Sequence, residues 1–180
     1  MEFVKVCAAS LPLAEPVYEF GSRWVRGGGA ADMRPFFPGK KFVGTDLRVG
    51  RGVDIILDLH QIDLPTDSVG TALLLDTLEH VEYPRRAMDE LHRVLKPEGL
   101  LILTTVFRFQ IHSRPDYWRF TPKGLLSLLT PFEAVDVYAL GDVTDPHTVA
   151  AVAGKTDSFN RAALARDLTA WKERWHGWHA

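Results

Sequence analysis

The chain has 180 residues, the length of a single domain with one sizeable core. Hydrophobic residues make up 46% and charged residues 24%, and 23 acids nearly balance 21 bases, so neither a basic patch nor net charge directs the chain to nucleic acid. The single cysteine, Cys7, excludes an internal disulfide and fits a reducing compartment, the cytoplasm, and no segment is long and apolar enough to span a membrane.

The opening, MEFVKVCAASLPLAEP, lacks the basic-then-apolar order of a secretion signal and reads as a short helix or irregular lead-in. Val17 to Phe20 reads as a strand ended by Gly21, and residues 31–37 fit one or two helical turns stopped by Pro38 and Gly39. KKFVGTDL predicts a second strand closed by Asp46. VDIILDL predicts a third, Val53 to Leu59, with Asp58 near its end, and VGTALLLD a fourth, Val69 to Leu75, closed by Asp76. These runs are continuously apolar, as in strands covered on both faces.

Residues 83–95 read as a helix, with Pro84 in its first turn and Ala87, Leu91, Val94 and Leu95 on one face; Pro97 and Gly99 end it. LLILTTVF is a fifth strand, and Thr121-Pro122 opens a helix through Leu129. FEAVDVYAL and TVAAVAG are two late strands whose short connection makes them antiparallel. From Thr156 a further helix carries a stripe of Leu164, Leu168, Trp171 and Trp175. The stripe, with Trp178, suits packing on the domain or a homodimer contact. The chain thus divides into a domain over 1–155 and a C-terminal amphipathic helix over 156–180.

Alternating strands and helices followed by a hairpin define a doubly wound α/β sheet, in which ligands bind beyond the carboxyl ends of the strands. Acids stand at or near four such ends: Glu19, Asp46, Asp58 and Asp76. An acid after the second strand suits ribose hydroxyls, one after the third an adenine amino group, and a carbonyl or carboxylate near the fourth a ligand ammonium group; Gly21 lets backbone amides approach closely. Together they outline an adenosine that carries an amino acid. The G-x-G-x-x-G turn that a dinucleotide pyrophosphate requires is missing, which disfavours a nicotinamide oxidoreductase. Each acid also has a plainer use. Asp46 and Asp58 fit turn caps, and DTLE makes Asp76 the N-cap of a capping box.

The stretches VYEFGS, FVGTDLR, DLPTDSVGTALLLDTLEHVEYPRRAMDELHRVLKPEGLLILTT and IHSRPDYWRFTPKGLLSLL resemble the class I S-adenosylmethionine-dependent methyltransferases, in their small-molecule branch. DYWRFTP is similar to bacterial members encoded beside sugar and surface-glycan biosynthesis enzymes. The resemblance covers residues 15–155. It implies a Rossmann-like seven-stranded sheet, mostly parallel with an antiparallel last strand, and S-adenosylmethionine as cofactor. It also implies that Glu19, Gly21 and Ser22 line the methionine end, that Asp46 holds the ribose and that Leu47 packs on the adenine. Asp58, Leu59 and His60 would surround the adenine edge, and Asp76 and Thr77 would sit by the sulfonium, above His80. The opening loop departs from the family's three alternating glycines: Arg23 and Val25 hold the second and third places. Either the loop takes a different path that bends at Gly27 to Gly29, or cofactor affinity is reduced; a further reading pairs Arg23 with Glu19 in a salt bridge.

Candidate bases for an alcohol or phenol acceptor are Asp76, His80 and His112, with Asp116. IHSRPDYWRF follows the fifth strand, and its Arg114, Tyr117 and Arg119 suit an acidic or sugar-like acceptor. In the plainer reading, Trp118 and Phe120 are buried and Arg119 pairs with a nearby acid. One cysteine and no histidines at ligand spacing predict no metal site. Two functions follow: methyl transfer to a small-molecule or glycan acceptor, or a catalytically inactive methyltransferase-like binding or regulatory protein.

Overall fold

The computed structural model describes residues 1–24 and 32–176, with side chains through Trp171. Seven strands form one sheet: β1 (Val17–Phe20), β2 (Phe42–Asp46), β3 (Ile55–Ile56), β4 (Val69–Leu75), β5 (Leu95–Val106), β6 (Ala134–Gly141) and β7 (Pro146–Gly154). Their order is β3-β2-β1-β4-β5-β7-β6. The strands from β3 to β5 run parallel, and β7 lies antiparallel between β5 and β6. The doubly wound plan and the reversed last strand are therefore as expected.

Helices cover both faces because the central strands are apolar on both. Along β5, Leu101 and Leu103 face the layer of α2 (Pro84–Val94) and α3 (Pro122–Leu128), while Leu100 and Ile102 face the layer of α1 (Glu2–Ser10) and α4 (Arg161–His176). β7 divides the same way, Val149, Ala151 and Ala153 against Ala150 and Val152, the period-two alternation of a pleated strand. Both helices over the first face open on proline. In α3, Thr121 also caps the helix by accepting a hydrogen bond from the Gly124 amide at 3.0 Å. Leu164 and Leu168 of α4 are buried against α1, with Trp171 packed beside them. Trp175 and Trp178, the rest of the expected stripe, lie outside the described side chains. Cys7 is buried in this layer, and burial pushes its thiol up to about 12, so it stays protonated. No helix among the described residues is long and apolar enough to cross a membrane.

Three boundaries differ from expectation for physical reasons. The third strand shrinks to two residues: the Asp54 carboxylate accepts from the Gly44 amide at 2.8 Å in place of a ladder bond, and Asp58 turns the chain away four residues later. The fifth strand starts early, because α2 runs directly into it at Leu95. Of the expected segment 31–37, residue 31 lies outside the described residues and 32–37 contain a 3-10 turn over Arg34–Phe36; the tail helix begins at Arg161, not Thr156.

Candidate active site

Strand register fixes the geometry of the carboxyl edge. Phe20 pairs with Thr45 on one side and Leu74 on the other, Asp46 pairs with Ile56, and Leu75 with Thr104. One row therefore crosses the sheet from Ile56 through Asp46, Gly21 and Leu75 to Thr104. Neighbouring strands are about 4.8 Å apart, so Asp46 and the β4 end are separated by about 10 Å, the scale of an adenosyl group bearing a short chain. Asp58 follows β3 by two residues, on the same edge as Asp46, and Asp76 follows β4 directly.

The first loop solves its glycine shortage from the other side. Gly21 adopts φ +85, and a Cβ there would lie 2.2 Å from Thr77 Oγ1, so only glycine passes beneath Thr77. Thr77 is held in turn by donating to the Leu75 carbonyl at 2.8 Å. Ser22 is buried and donates to the Gly52 carbonyl at 2.9 Å. Arg23 and Trp24 lie against the β2–β3 connection, where a Cβ on Gly50 would meet Arg23 Cγ at 2.6 Å and one on Gly52 would meet Trp24 Cδ1 at 2.7 Å. Arg51 covers the Trp24 ring, its guanidinium carbon 4.1 Å from the centroid. The glycines missing from the first loop thus stand in the loop that faces it. Gly27, Gly28 and Gly29, the other expected bend, lie outside the described residues.

Asp46 and Asp58 each cap a turn with one oxygen. Asp46 Oδ1 accepts the Arg48 amide at 3.0 Å, and Asp58 Oδ1 accepts the His60 amide and ring Nδ1, both at 2.8 Å. Among the described residues neither Oδ2 has a partner. The Tyr83 amide donates to His60 Nε2 at 3.2 Å, which fixes the His60 proton on Nδ1. Burial opposes ionisation of Asp58, but the two His60 hydrogen bonds outweigh it and hold the carboxyl below its usual range. Leu47 is 61% exposed beside Asp46, whereas Leu59 is buried in the core beneath. The capping-box reading of Asp76 fails: the following turn, Leu78–His80, has no side-chain cap, and Asp76 Oδ1 accepts instead from Thr104 Oγ1 at 2.9 Å.

Arg23 does not pair with Glu19. Its Nε lies 3.9 Å from Asp46 Oδ1 and, among the described residues, is buried without a hydrogen bond. Glu19 is buried on the α1 and α4 side of β1, and that burial raises its carboxyl to about 7, against the pull of Arg34. Arg34 is itself held by Asp54 at 2.7 Å and Asp32 at 3.4 Å.

The loop after β5 is built around Asp116. Its side chain is almost wholly buried, and it receives Arg119 at 2.6 and 2.9 Å and the His112 amide at 2.8 Å. The paired Arg119 guanidinium drives Asp116 far below the carboxylate range. Arg119 also donates to the carbonyls of Phe109, Gln110 and Trp118. Its fork is therefore committed to the loop, while Arg114 is exposed and has no described partner. Trp118 donates to the Val81 carbonyl yet stays 42% exposed, and Phe120 is buried, so the expected burial holds only for Phe120. Tyr117 is 46% exposed. Asp116→Ala should strip Arg119 of its charge partner and cost about 2–3 kcal/mol. Urea unfolding monitored by tryptophan fluorescence checks this, and an unchanged midpoint would show that the loop is held by other means.

The loop brings His112 against His80, ring centroids 4.9 Å apart, and Phe109 against His112 at the same separation. His80 Nδ1 donates to the Pro115 carbonyl at 2.6 Å, and burial lowers its pKa. Glu79 is fully buried beside them. Its Oε2 accepts from Thr105 Oγ1 at 2.9 Å, its Oε1 has no partner among the described residues, and burial raises the carboxyl to about 7. Glu79, Arg34 and Asp54 are not among the strand-end acids and loop residues that the sequence marks as site residues; an acid inside the apolar LEHV run is the sequence signal for Glu79.

Residues 39–103 match the model of a family described as a methyltransferase domain. The fold is shared with solved structures of low identity. The [4+2]-cyclase SpnF is 15% identical, covering 86% of this chain and 80% of that one, with a TM-score of 0.65. The 1,6-didemethyltoxoflavin N1-methyltransferase of Burkholderia thailandensis, solved with 1,6-didemethyltoxoflavin and S-adenosylhomocysteine, is 20% identical over 78% and 71% of the two chains, with a TM-score of 0.62. A SAM-dependent methyltransferase of Thermotoga maritima is 20% identical over 86% and 87%, also at 0.62. No curated protein shows significant sequence similarity to the chain. The matched segment runs from the turn before β2 into β5 of this seven-stranded sheet, and it is similar there to a methyltransferase domain.

Proposed function

We propose that the protein is an S-adenosylmethionine-dependent methyltransferase acting on a small, anionic, ring-bearing acceptor, a glycan precursor among them. The observation that carries this reading is the row Asp46–Gly21–Leu75, which sets Asp46 about 10 Å across a glycine gap from the end of β4, where Asp76 follows. The residues fit the cofactor chemically. Asp46 Oδ2 accepts a ribose hydroxyl, and the orphaned Arg23 Nε beside it supplies a donor to the same hydroxyls. Glu19 and Asp76 offer carboxylates to an α-ammonium group; Leu47, Asp58 and His60 flank the adenine end. When bound, the cofactor supplies a methyl group already activated on a sulfonium.

What the chain itself must do is align an acceptor and exclude water, which is worth up to about 7–11 kcal/mol for well-oriented reactants. The post-β5 loop serves this purpose. Arg119 and Asp116 fix its shape, and Phe109, Tyr117 and Trp118 present exposed aromatic faces to a ring. Arg114 offers an unengaged cation to a carboxylate or phosphate. His112 of this loop and His80 packed against it have ring centroids 4.9 Å apart.

The test is release of S-adenosylhomocysteine from S-adenosylmethionine over a panel of neutral and anionic hydroxylated acceptors, nucleotide sugars included. Turnover with anionic members, lost in KM rather than kcat on Arg114→Ala, supports the reading. Binding of S-adenosylhomocysteine without turnover of any acceptor favours the inactive, regulatory protein instead.

A further inference from the structure

The Glu79–His80–His112 cluster has the composition of a metal site, although the spacing of these residues in the chain gave no sign of one. One donor atom from each lies within 4.8 Å of the other two. Tetrahedral ligands at about 2.0–2.1 Å from zinc are about 3.4 Å apart, so the three need to close by up to about 1.4 Å. Rotation of two imidazoles, one on an exposed loop, supplies a movement of that size.

Two buried polar atoms of this cluster have no hydrogen-bond partner among the described residues. Glu79 Oε1 is buried with no hydrogen bond, a costly arrangement for an oxygen in a fully buried side chain. His112 Nδ1 is also buried without one: Asp116 Oδ2 is 3.3 Å away, already engaged by the His112 amide and by Arg119. Outer partners are in place. The Pro115 carbonyl takes the Nδ1 proton of His80, leaving Nε2 as a lone-pair donor, and Thr105 Oγ1 steadies the other oxygen of Glu79. Two imidazoles and one carboxylate form a donor set that suits zinc(II) and related first-row ions and leaves positions open for a further ligand.

We propose that Glu79, His80 and His112 bind one divalent transition-metal ion of the zinc(II) class, and that its open position receives an oxygen of the methyl acceptor. The site stands on its own geometry; its use in methyl transfer rests on the function proposed above. In that use the acceptor is an alcohol, phenol or hydroxy acid. Its hydroxyl gives up a proton to solvent, the oxygen–methyl bond forms as the carbon–sulfur bond breaks, and sulfur keeps the electron pair.

Cobalt(II) titration of the chelator-stripped full-length chain tests the site, read by visible absorption and displacement by zinc(II). One equivalent is expected to bind, and His112→Ala and His80→Ala are each expected to weaken it at least about 100-fold, beyond the usual cost of losing an outer partner. His112 lies in a surface loop, so its variant keeps the question open to test even where Glu79→Gln fails to fold. Absence of cobalt or zinc binding by the wild-type protein at millimolar metal overturns the proposal, as does binding that His112→Ala leaves unchanged, which would put the ion elsewhere. Parallel titration with S-adenosylhomocysteine separates the two ideas. A chain that binds the nucleoside but no metal loses only the metal site; one that binds metal at the triad but no nucleoside loses only the methyl-transfer reading.

Discussion

Asp46→Ala is expected to weaken S-adenosylhomocysteine binding by about 100-fold, measured by isothermal calorimetry. A charged carboxylate accepting hydroxyl hydrogen bonds contributes about 1.5–3 kcal/mol for each bond, and tenfold in affinity corresponds to about 1.4 kcal/mol. The loss should fall on binding and not on the fold. Within the protein Asp46 makes one turn-closing bond to the Arg48 amide and a loose pairing with Arg23 at 3.9 Å. The thermal midpoint is therefore expected to shift little. Asp46→Asn keeps one acceptor oxygen and should lose less affinity than alanine. Equal affinity in wild type and Asp46→Ala would move the ribose away from the second strand.

Glu19→Gln is expected to stabilise the protein at alkaline pH while removing a ligand carboxylate. Burial raises Glu19 from 4.5 to about 7 in the folded chain. A raised carboxyl means that the folded state holds its proton more tightly than the unfolded state. Stability from that proton is complete below pH 4.5 and is lost as pH rises through about 7. The loss amounts to about 3 kcal/mol at pH 8. Glutamine cannot ionise, so urea midpoints of wild type and variant should agree near pH 4 and diverge near pH 8, the variant higher. Glu79 is raised in the same direction but is present in both proteins and cancels in the difference. Binding of an ammonium-bearing ligand should show the opposite trend. Wild-type affinity for S-adenosylhomocysteine should fall about tenfold per unit below pH 7, and this slope should flatten in Glu19→Gln. A variant less stable at pH 8 would mean that Arg34 compensates the buried charge fully.

Elements with unbroken apolar patterns were legible from the sequence. β4 spans Val69–Leu75 as read, and α2 agrees to a residue at each end, because Pro84 starts it and its apolar stripe faces the sheet. β3 was overextended because VDIILDL is apolar enough for seven residues of strand, yet Asp54 and Asp58 spend their carboxylates on local amides. The strand-end acids were visible because each follows a hydrophobic run. The state of the first loop was not. Local spacing showed only missing glycines, whereas their replacements, Gly50 and Gly52, face Arg23 and Trp24 across the β2–β3 turn. The Glu79–His80–His112 cluster was hidden for the same reason: its third member arrives on a loop shaped by the Asp116–Arg119 pair. Periodicity reports what one element does to its own faces. It is silent on contacts that two loops make only after the sheet has aligned them.

Crystals of the protein grown with S-adenosylhomocysteine test the central geometry most directly. Density is expected across the carboxyl edge of β1, β2 and β4, with both ribose hydroxyls at Asp46, the amino-acid end beside Gly21 and Asp76, and the adenine toward Asp58. A fully occupied ligand lying elsewhere, or an edge that stays closed by Arg23 and Thr77 at saturating ligand, would contradict it.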